Sequence, residues 1–266
     1  MKLIDSCVIA ISMYSRIPMP RVEWREDGMR QVMCFFPLVG ILVGLILGGW
    51  LYLALEVLQL SPAAAALWGT AVPILVTGGI HMDGFLDTMD AIHSYGDREK
   101  KLEILKDSHV GAFAVIGTAV YLLLYAGAMY EFVLRISIRT DRTALYFAPV
   151  CFLSMERAFS GLSVVLFPSA RKQGMAAAFA QAAEKRTDRR ILIGWIAFLP
   201  LISWVLGGTS AALRAAVWLA VQLAAFGWYY RMSVKEFGGM TGDLAGCFLQ
   251  ICELLSFTAA VGLLTV

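Results

Sequence analysis

Three aspartates, Asp83, Asp87 and Asp90, stand in the stretch GGIHMDGFLDTMDAIHSYGD, directly after an apolar run. On a helix, their i, i+4, i+7 spacing places them within an arc of about 60°. Three carboxylates on one stripe repel one another, and no Lys or Arg follows Asp83 until Arg98. A divalent cation would offset that repulsion. Hard oxygen donors suit Mg²⁺ or Mn²⁺, and Mg²⁺ commonly takes one or two carboxylates together with substrate phosphates. Gly84 leaves space beside Asp83 for a ligand to approach. The competing reading is a solvated helix end, because charges often mark where an apolar span stops.

Other segments offer complementary chemistry. In KDSHVG (106–111), Lys106 and Asp107 supply a cation and a further carboxylate for a pyrophosphate, while Asp107 or Ser108 equally suits the N-cap of a following helix. In GGMTGD (238–243), Gly239 and Thr241 belong to a flexible turn whose backbone N–H groups suit phosphate, and Asp243 can complete a metal site or orient a hydroxyl. Arg157 and Glu253 fall about ten residues inside apolar stretches. Intramembrane charges are costly and call for a partner, and these two pair across helices, whereas Glu156, adjacent to Arg157, points away. His81 and His93 flank the aspartates without any zinc-type spacing.

The elements that must hold these residues are apolar helices. Of the 266 residues, 59% are hydrophobic and 16% charged, well to the apolar side of a soluble domain. The five cysteines lie scattered in apolar stretches, which excludes a disulfide scaffold or a zinc ribbon. Windows long enough to cross a bilayer fall at 37–58, 62–80, 111–134, 143–167, 191–208, 211–230 and 244–265. The reading is an all-α polytopic integral membrane protein of about seven transmembrane helices, one catalytic domain over 1–266. The apolar run 3–15 is too short to span. Stretches 22–36 and 174–190 read as interfacial helices.

Lys and Arg orient the chain. Seventeen of the 22 lie before the first window or in the segments after the second, fourth and sixth, while only Arg135, Arg139 and Arg142 lie in the opposite set. This bias places the N-terminus in the cytoplasm. It also places the aspartates, SRIPMP (15–20), KDSHVG, FPSARKQG (167–174) and GGMTGD on the same cytoplasmic face.

With these segments in order, the chain resembles the cobalamin synthases (adenosylcobinamide-GDP ribazoletransferases). The resemblance is carried by TGGIHMDGFLDTMD, KDSHVG, the Arg157-bearing span leading to FPSARKQG, and GGMTGDLAGCFLQICE. SRIPMP and FFPLVG (35–40) add to it, and together these cover nearly the whole chain. Two departures are small: Cys247 stands where alanine is expected, and His93-Ser94-Tyr95 replaces a more glycine-rich stretch.

The resemblance implies a Mg²⁺-dependent enzyme (Mn²⁺ being the other candidate ion) in the inner membrane of a prokaryote, with its site on the cytoplasmic face. It implies transfer of the adenosylcobinamide-phosphate group from adenosylcobinamide-GDP to α-ribazole or its 5′-phosphate, releasing GMP. Asp83, Asp87 and Asp90 would hold the metal. Lys106, Arg157 or Arg171 would neutralise phosphate, with Asp107, Ser108, Gly239, Thr241 and Glu253 around the substrate. Asp243 or a spare aspartate would accept the hydroxyl proton. The expected partners are these substrates and the lipid bilayer, with homo-oligomerisation compatible and no nucleic acid. The rival readings are a CDP-alcohol phosphotransferase or prenyltransferase, whose D-G-x-x-A-R and D-D-x-x-D blocks the chain lacks, and a transporter, for which no internal repeat is found.

Overall fold

The structure, a computed structural model, describes residues 2–24, 26–139 and 142–264. Its regular elements are helical. In chain order they are α1 (Lys2–Tyr14), α2 (Glu26–Met29), α3 (Val32–Tyr52), α4 (Pro62–Thr77), α5 (Ile80–His93), α6 (Arg98–Ile104), α7 (Ala112–Ser137), α8 (Thr143–Tyr146), α9 (Ala148–Leu166), α10 (Met175–Ala182), α11 (Lys185–Met232) and α12 (Gly242–Leu263). π-Helical turns extend α3 over Leu53–Val57 and α11 over Ser233–Phe237.

Helix α9 is the axis of the bundle. It is apolar enough to cross a membrane, yet 89% of its most apolar stretch is enclosed by protein rather than left for lipid. Helix α3 lies directly against it through a stripe of small residues. A side chain at Gly40, Gly44 or Gly48 would come within 2.3 Å of Leu153 O, 2.5 Å of Val150 Cα or 2.7 Å of Tyr146 O, respectively. Small residues four apart are how two helices pack closely where lipid supplies no hydrophobic drive between them. Phe152 of α9 joins Phe257 of α12 and Trp218 of α11 in an aromatic core, with ring centroids 4.9 and 5.2 Å away.

Among the described residues, five helices are long and apolar enough to span a membrane, or six if the bent pair α4–α5 is one span. The count is lower than the seven expected windows because two of them fall within one continuous element. Windows 191–208 and 211–230 share α11, whose 48 residues would reach about 72 Å if straight, more than twice a bilayer core. It is not straight: Gly208 takes φ 67°, ψ −163°. Leu192 and Phe226 both meet α9 near Phe159–Gly161, while Ser203 and Gln222 both meet it at Cys151–Phe152. The two halves of α11 therefore run antiparallel along α9. Window 62–80 ends in a 94° turn between α4 and α5.

The stretch 22–36 does not form one interfacial helix. It divides into α2 and the start of α3, where Val32, Met33, Cys34 and Phe36 are buried core residues. Arg25, within that stretch, and Thr265, in the last window, lie outside the described residues. Stretch 174–190 divides between α10, whose Ala177 and Phe179 are buried, and the first turn of α11.

Candidate active site

The five polar segments meet at one end of the bundle. Arg16 N–H donates to Val76 O at the end of α4 (2.7 Å). Met240 N–H donates to Pro168 O (2.8 Å) and Ala170 N–H to Met240 O (3.0 Å), so a single bridge fastens FPSARKQG to GGMTGD. Gly239 lies so close to the 167–174 segment that a Cβ there would sit 2.4 Å from Pro168 O. The opposite end is closed differently: Arg142 grips Glu56 with two bonds of 2.6 and 2.8 Å.

Two consecutive left-handed glycines, Gly78 (φ 67°) and Gly79 (φ 80°), turn the chain from α4 into α5, a conformation that side chains resist. Helix α5 then carries Asp83, Asp87 and Asp90 with the expected helical spacing. It is pressed onto the first turn of α12. A Cβ on Gly84 would fall 2.6 Å from Asp243 O, and one on Gly246 would fall 2.9 Å from His81 O. Gly84 thus makes room for helix α12 itself rather than for a ligand, and that close approach is what sets Asp243 beside the aspartate stripe.

Asp243 is placed by its own helix start. Thr241, the N-cap of α12, accepts from Leu244 N–H (3.3 Å) and donates to Asp243 Oδ2 (3.4 Å). Arg171 Nη1 lies 3.7 Å from the same Oδ2, and its Nη2 donates to Leu102 O (2.8 Å), which fixes the guanidinium between α6 and α12. Asp87 is half-buried. The charges of Asp83, Asp243 and Asp90 all bear on it, and Arg171 is the cation that opposes them. The cluster therefore carries more negative charge than it compensates.

Asp90 has a different occupation. Its two carboxylate oxygens accept from Gly111 N–H (2.6 Å) and Ala114 N–H (2.8 Å), capping α7 from a distance of more than 20 residues in sequence. The capping expected of Asp107 or Ser108 thus falls to Asp90; the local N-cap, Gly111, offers no side chain. Asp107 instead accepts from His109 N–H (3.0 Å) and His109 Nδ1 (2.6 Å), and His109 holds its carboxyl below the usual range. Ser108 and Lys106 are exposed.

Three cavities adjoin this cluster in sequence. The first, of about 220 Å³, is largely apolar and has Asp83 and Asp243 on its wall. The second, about 140 Å³, shares Asp243 and adds Thr241 and Arg171. The third, about 520 Å³, shares Arg171 and adds Lys106 and Lys172. Apolar, acidic and basic surfaces thus succeed one another through shared residues.

Arg157 and Glu253 do not line these three cavities. They form the expected pair (Nη2 to Oε1, 3.2 Å) in the buried interior. Glu156 is also a partner, against expectation: Arg157 Nη1 donates to its Oε1 (2.6 Å) and to Leu153 O (2.9 Å). Neighbouring side chains do diverge at Cβ, but the long arginine stem folds back along its own helix. His93 bonds to Met89 O (2.8 Å) and stacks on Phe113. The sequence weighs His81 as a ligand or acid/base group rather than as a cavity wall, and it does not single out Tyr14, Phe36 or Lys172. Their only signal is proximity to the SRIPMP, FFPLVG, FPSARKQG and GGIHMD motifs.

The donor chemistry fits a magnesium ion. Among the described residues no three His, Cys, Asp or Glu side chains are drawn together tightly enough to enclose a metal. Mg²⁺ does not require such a cage, since it binds through one or two carboxylates plus water and substrate phosphates. The under-compensated carboxylates around Asp87 meet that requirement.

A bundle of apolar helices with an acidic cluster, an arginine and a glycine-flanked threonine at one end has the make-up of a membrane transferase acting on a phosphorylated substrate. The chain matches cobalamin-5-phosphate synthase over residues 6–261 and belongs to that family. Curated relatives named adenosylcobinamide-GDP ribazoletransferase include that of Lachnoclostridium phytofermentans, 42% identical over 98% of this chain and 95% of its own. Those of Desulfitobacterium hafniense (34%, 96% of each chain) and Clostridium botulinum strain Alaska E43 (30%, 97% of each chain) are also similar. No solved structure matches. The chain is thus a transferase of cobalamin biosynthesis.

Proposed function

We propose that the protein transfers the adenosylcobinamide-phosphate group of adenosylcobinamide-GDP to α-ribazole or its 5′-phosphate, releasing GMP, at the cytoplasmic face of the inner membrane. It acts as one catalytic domain. The observation that carries the reading is the meeting of Asp83, Asp87, Asp243 and Arg171 where an apolar cavity passes into a basic one. The distribution of Lys and Arg supports the cytoplasmic assignment.

A ribose hydroxyl oxygen of the acceptor attacks the phosphorus that bears adenosylcobinamide. The bond from that phosphorus to the bridging oxygen breaks, and GMP departs with the oxygen. Such transfer is mostly positioning and charge stabilisation. A bound Mg²⁺, held by Asp83 and Asp87, would supply positive charge to the pyrophosphate. Arg171, fixed by Leu102 O, neutralises phosphate oxygens from the other side. Asp243, half-buried and oriented by Thr241, accepts the hydroxyl proton. Lys106 and Lys172 attract the anionic donor into the basic cavity. Asp90 holds α5 to α7, and Arg157 with Glu253 holds α9 to α12, so both act by positioning.

The test is product analysis with purified protein in detergent, given adenosylcobinamide-GDP, α-ribazole and Mg²⁺. GMP should form in step with the joined cobamide and only when acceptor is present. Folded protein that releases no GMP, or releases it equally without acceptor, overturns the reading.

A further inference from the structure

The first cavity holds a group that neither the metal nor the phosphates explain. His81 is 3% exposed and lies on the cavity wall, and neither of its ring nitrogens has a hydrogen-bond partner. Buried polar atoms of this kind are nearly always bonded, and leaving both nitrogens unpaired is unfavourable. Around His81 stand two more rings. Tyr14 and Phe36 are 4.3 Å apart between centroids, and His81 is 6.1 Å from the first and 5.9 Å from the second. These three rings share a wall with Ser160, Asp83 and Asp243.

We propose that this cavity, walled by Tyr14, Phe36 and His81, is the subsite for the flat nitrogen heterocycle of the acceptor nucleoside, whose free ring nitrogen accepts a hydrogen bond from His81. The assignment rests on the transferase reading and names the acceptor side of that same site. Size and polarity select among the reactants. An apolar cavity of about 150 Å³ takes a single benzene ring, so about 220 Å³ has room for a two-ring base and none for a corrinoid. A benzimidazole-type base, with one unsubstituted ring nitrogen and otherwise apolar edges, matches a wall with one such histidine. Position agrees as well. Asp83 and Asp243 lie on the wall of the same cavity, so a base held there delivers its attached ribose to the acidic cluster, where a hydroxyl must meet phosphorus.

The experiment uses the full-length protein in phosphatidylcholine nanodiscs. Binding of benzimidazole is compared by calorimetry with that of indole, which has the same shape but no acceptor nitrogen, in the absence of donor substrate and metal. Wild type should bind benzimidazole about tenfold more tightly than indole, the scale of one hydrogen bond to a desolvated partner. His81→Phe should abolish that preference and His81→Gln restore part of it. In the transfer assay, His81→Phe should raise KM for α-ribazole about tenfold while KM for adenosylcobinamide-GDP moves less than twofold. Equal binding of the two probes by wild type overturns the proposal, as does a preference that survives His81→Phe or a rise in donor KM instead of acceptor KM. Should the His81 variants fail to fold, competition between benzimidazole and α-ribazole in the wild-type assay decides: competitive inhibition supports the subsite, and its absence overturns it. The two readings fail separately, because probe binding needs no transfer, and GMP release without probe preference removes the subsite and leaves the reaction.

Discussion

Asp90 is the residue whose role changes most between sequence and structure, and it gives the sharpest perturbation. As one of three aspartates on a stripe it reads as a metal ligand. In the fold, its two oxygens take the Gly111 and Ala114 N–H groups at 2.6 and 2.8 Å, at the positive end of the 26-residue helix α7. A lost N-cap costs about 1 kcal/mol and up to about 2. Two bonds made by a charged acceptor put Asp90→Ala at the upper figure. Asp90→Asn retains one oxygen acceptor and should cost roughly half as much. For a chain of this size, about 2 kcal/mol lowers an apparent Tm by roughly 4–8 °C. The assay is thermal unfolding in detergent followed by near-UV circular dichroism, run beside a magnesium titration of transfer activity. Asp90→Ala should lower Tm by that amount, with Asp90→Asn between it and wild type, and both should keep the wild-type magnesium midpoint at temperatures where they are folded. An unchanged Tm together with a magnesium midpoint raised tenfold would refute the capping argument and return Asp90 to the metal.

Three further outcomes follow from packing and charge. Gly84→Leu, whose Cβ would lie 2.6 Å from Asp243 O, should separate α5 from α12 and abolish transfer, whereas Gly127→Ala, with nothing within 4 Å, should leave activity unchanged. Arg157→Met leaves Glu156 and Glu253 buried without their shared cation, whereas Glu253→Gln leaves Arg157 its Glu156 partner and should cost less. Arg157→Met should cost about 3–5 kcal/mol, read as loss of folded protein in size-exclusion profiles rather than as a selective KM effect. Arg171→Ala removes the cation beside Asp243 and should lower kcat about 10²-fold or more, with Arg171→Lys recovering only part because one guanidinium serves both Asp243 and Leu102 O.

Much of this was legible in the chain itself. The helical spacing of Asp83, Asp87 and Asp90, the apolar spans and the gathering of five polar segments at one end all follow from periodicity and from where charge can stand near a bilayer. Less visible were features set by long-range packing. Nothing in DTMD announces that Asp90 caps a helix whose N-cap, Gly111, lies 21 residues on. Gly84 looks like space for a ligand until α12 fills it. Windows 191–208 and 211–230 were found, but that Gly208 doubles them back along α9 depends on contacts far apart in sequence. Glu156 was set aside on Cβ geometry, which a flexible arginine overrides. His81 stands beside Asp83 in the sequence, yet only the fold packs it against Tyr14 and Phe36 at a cavity wall.

The central claim is that Asp83 and Asp87 hold magnesium at a pyrophosphate. A magnesium titration of GMP release by wild type, Asp83→Asn and Asp87→Asn tests it most directly. Wild type should be silent in EDTA and saturate with added Mg²⁺. Each variant should lose roughly 10²–10³-fold in kcat, the scale of a deleted electrostatic group, and need more Mg²⁺ for half-maximal rate. Full activity in EDTA, or either variant matching wild type at low Mg²⁺, would contradict the account.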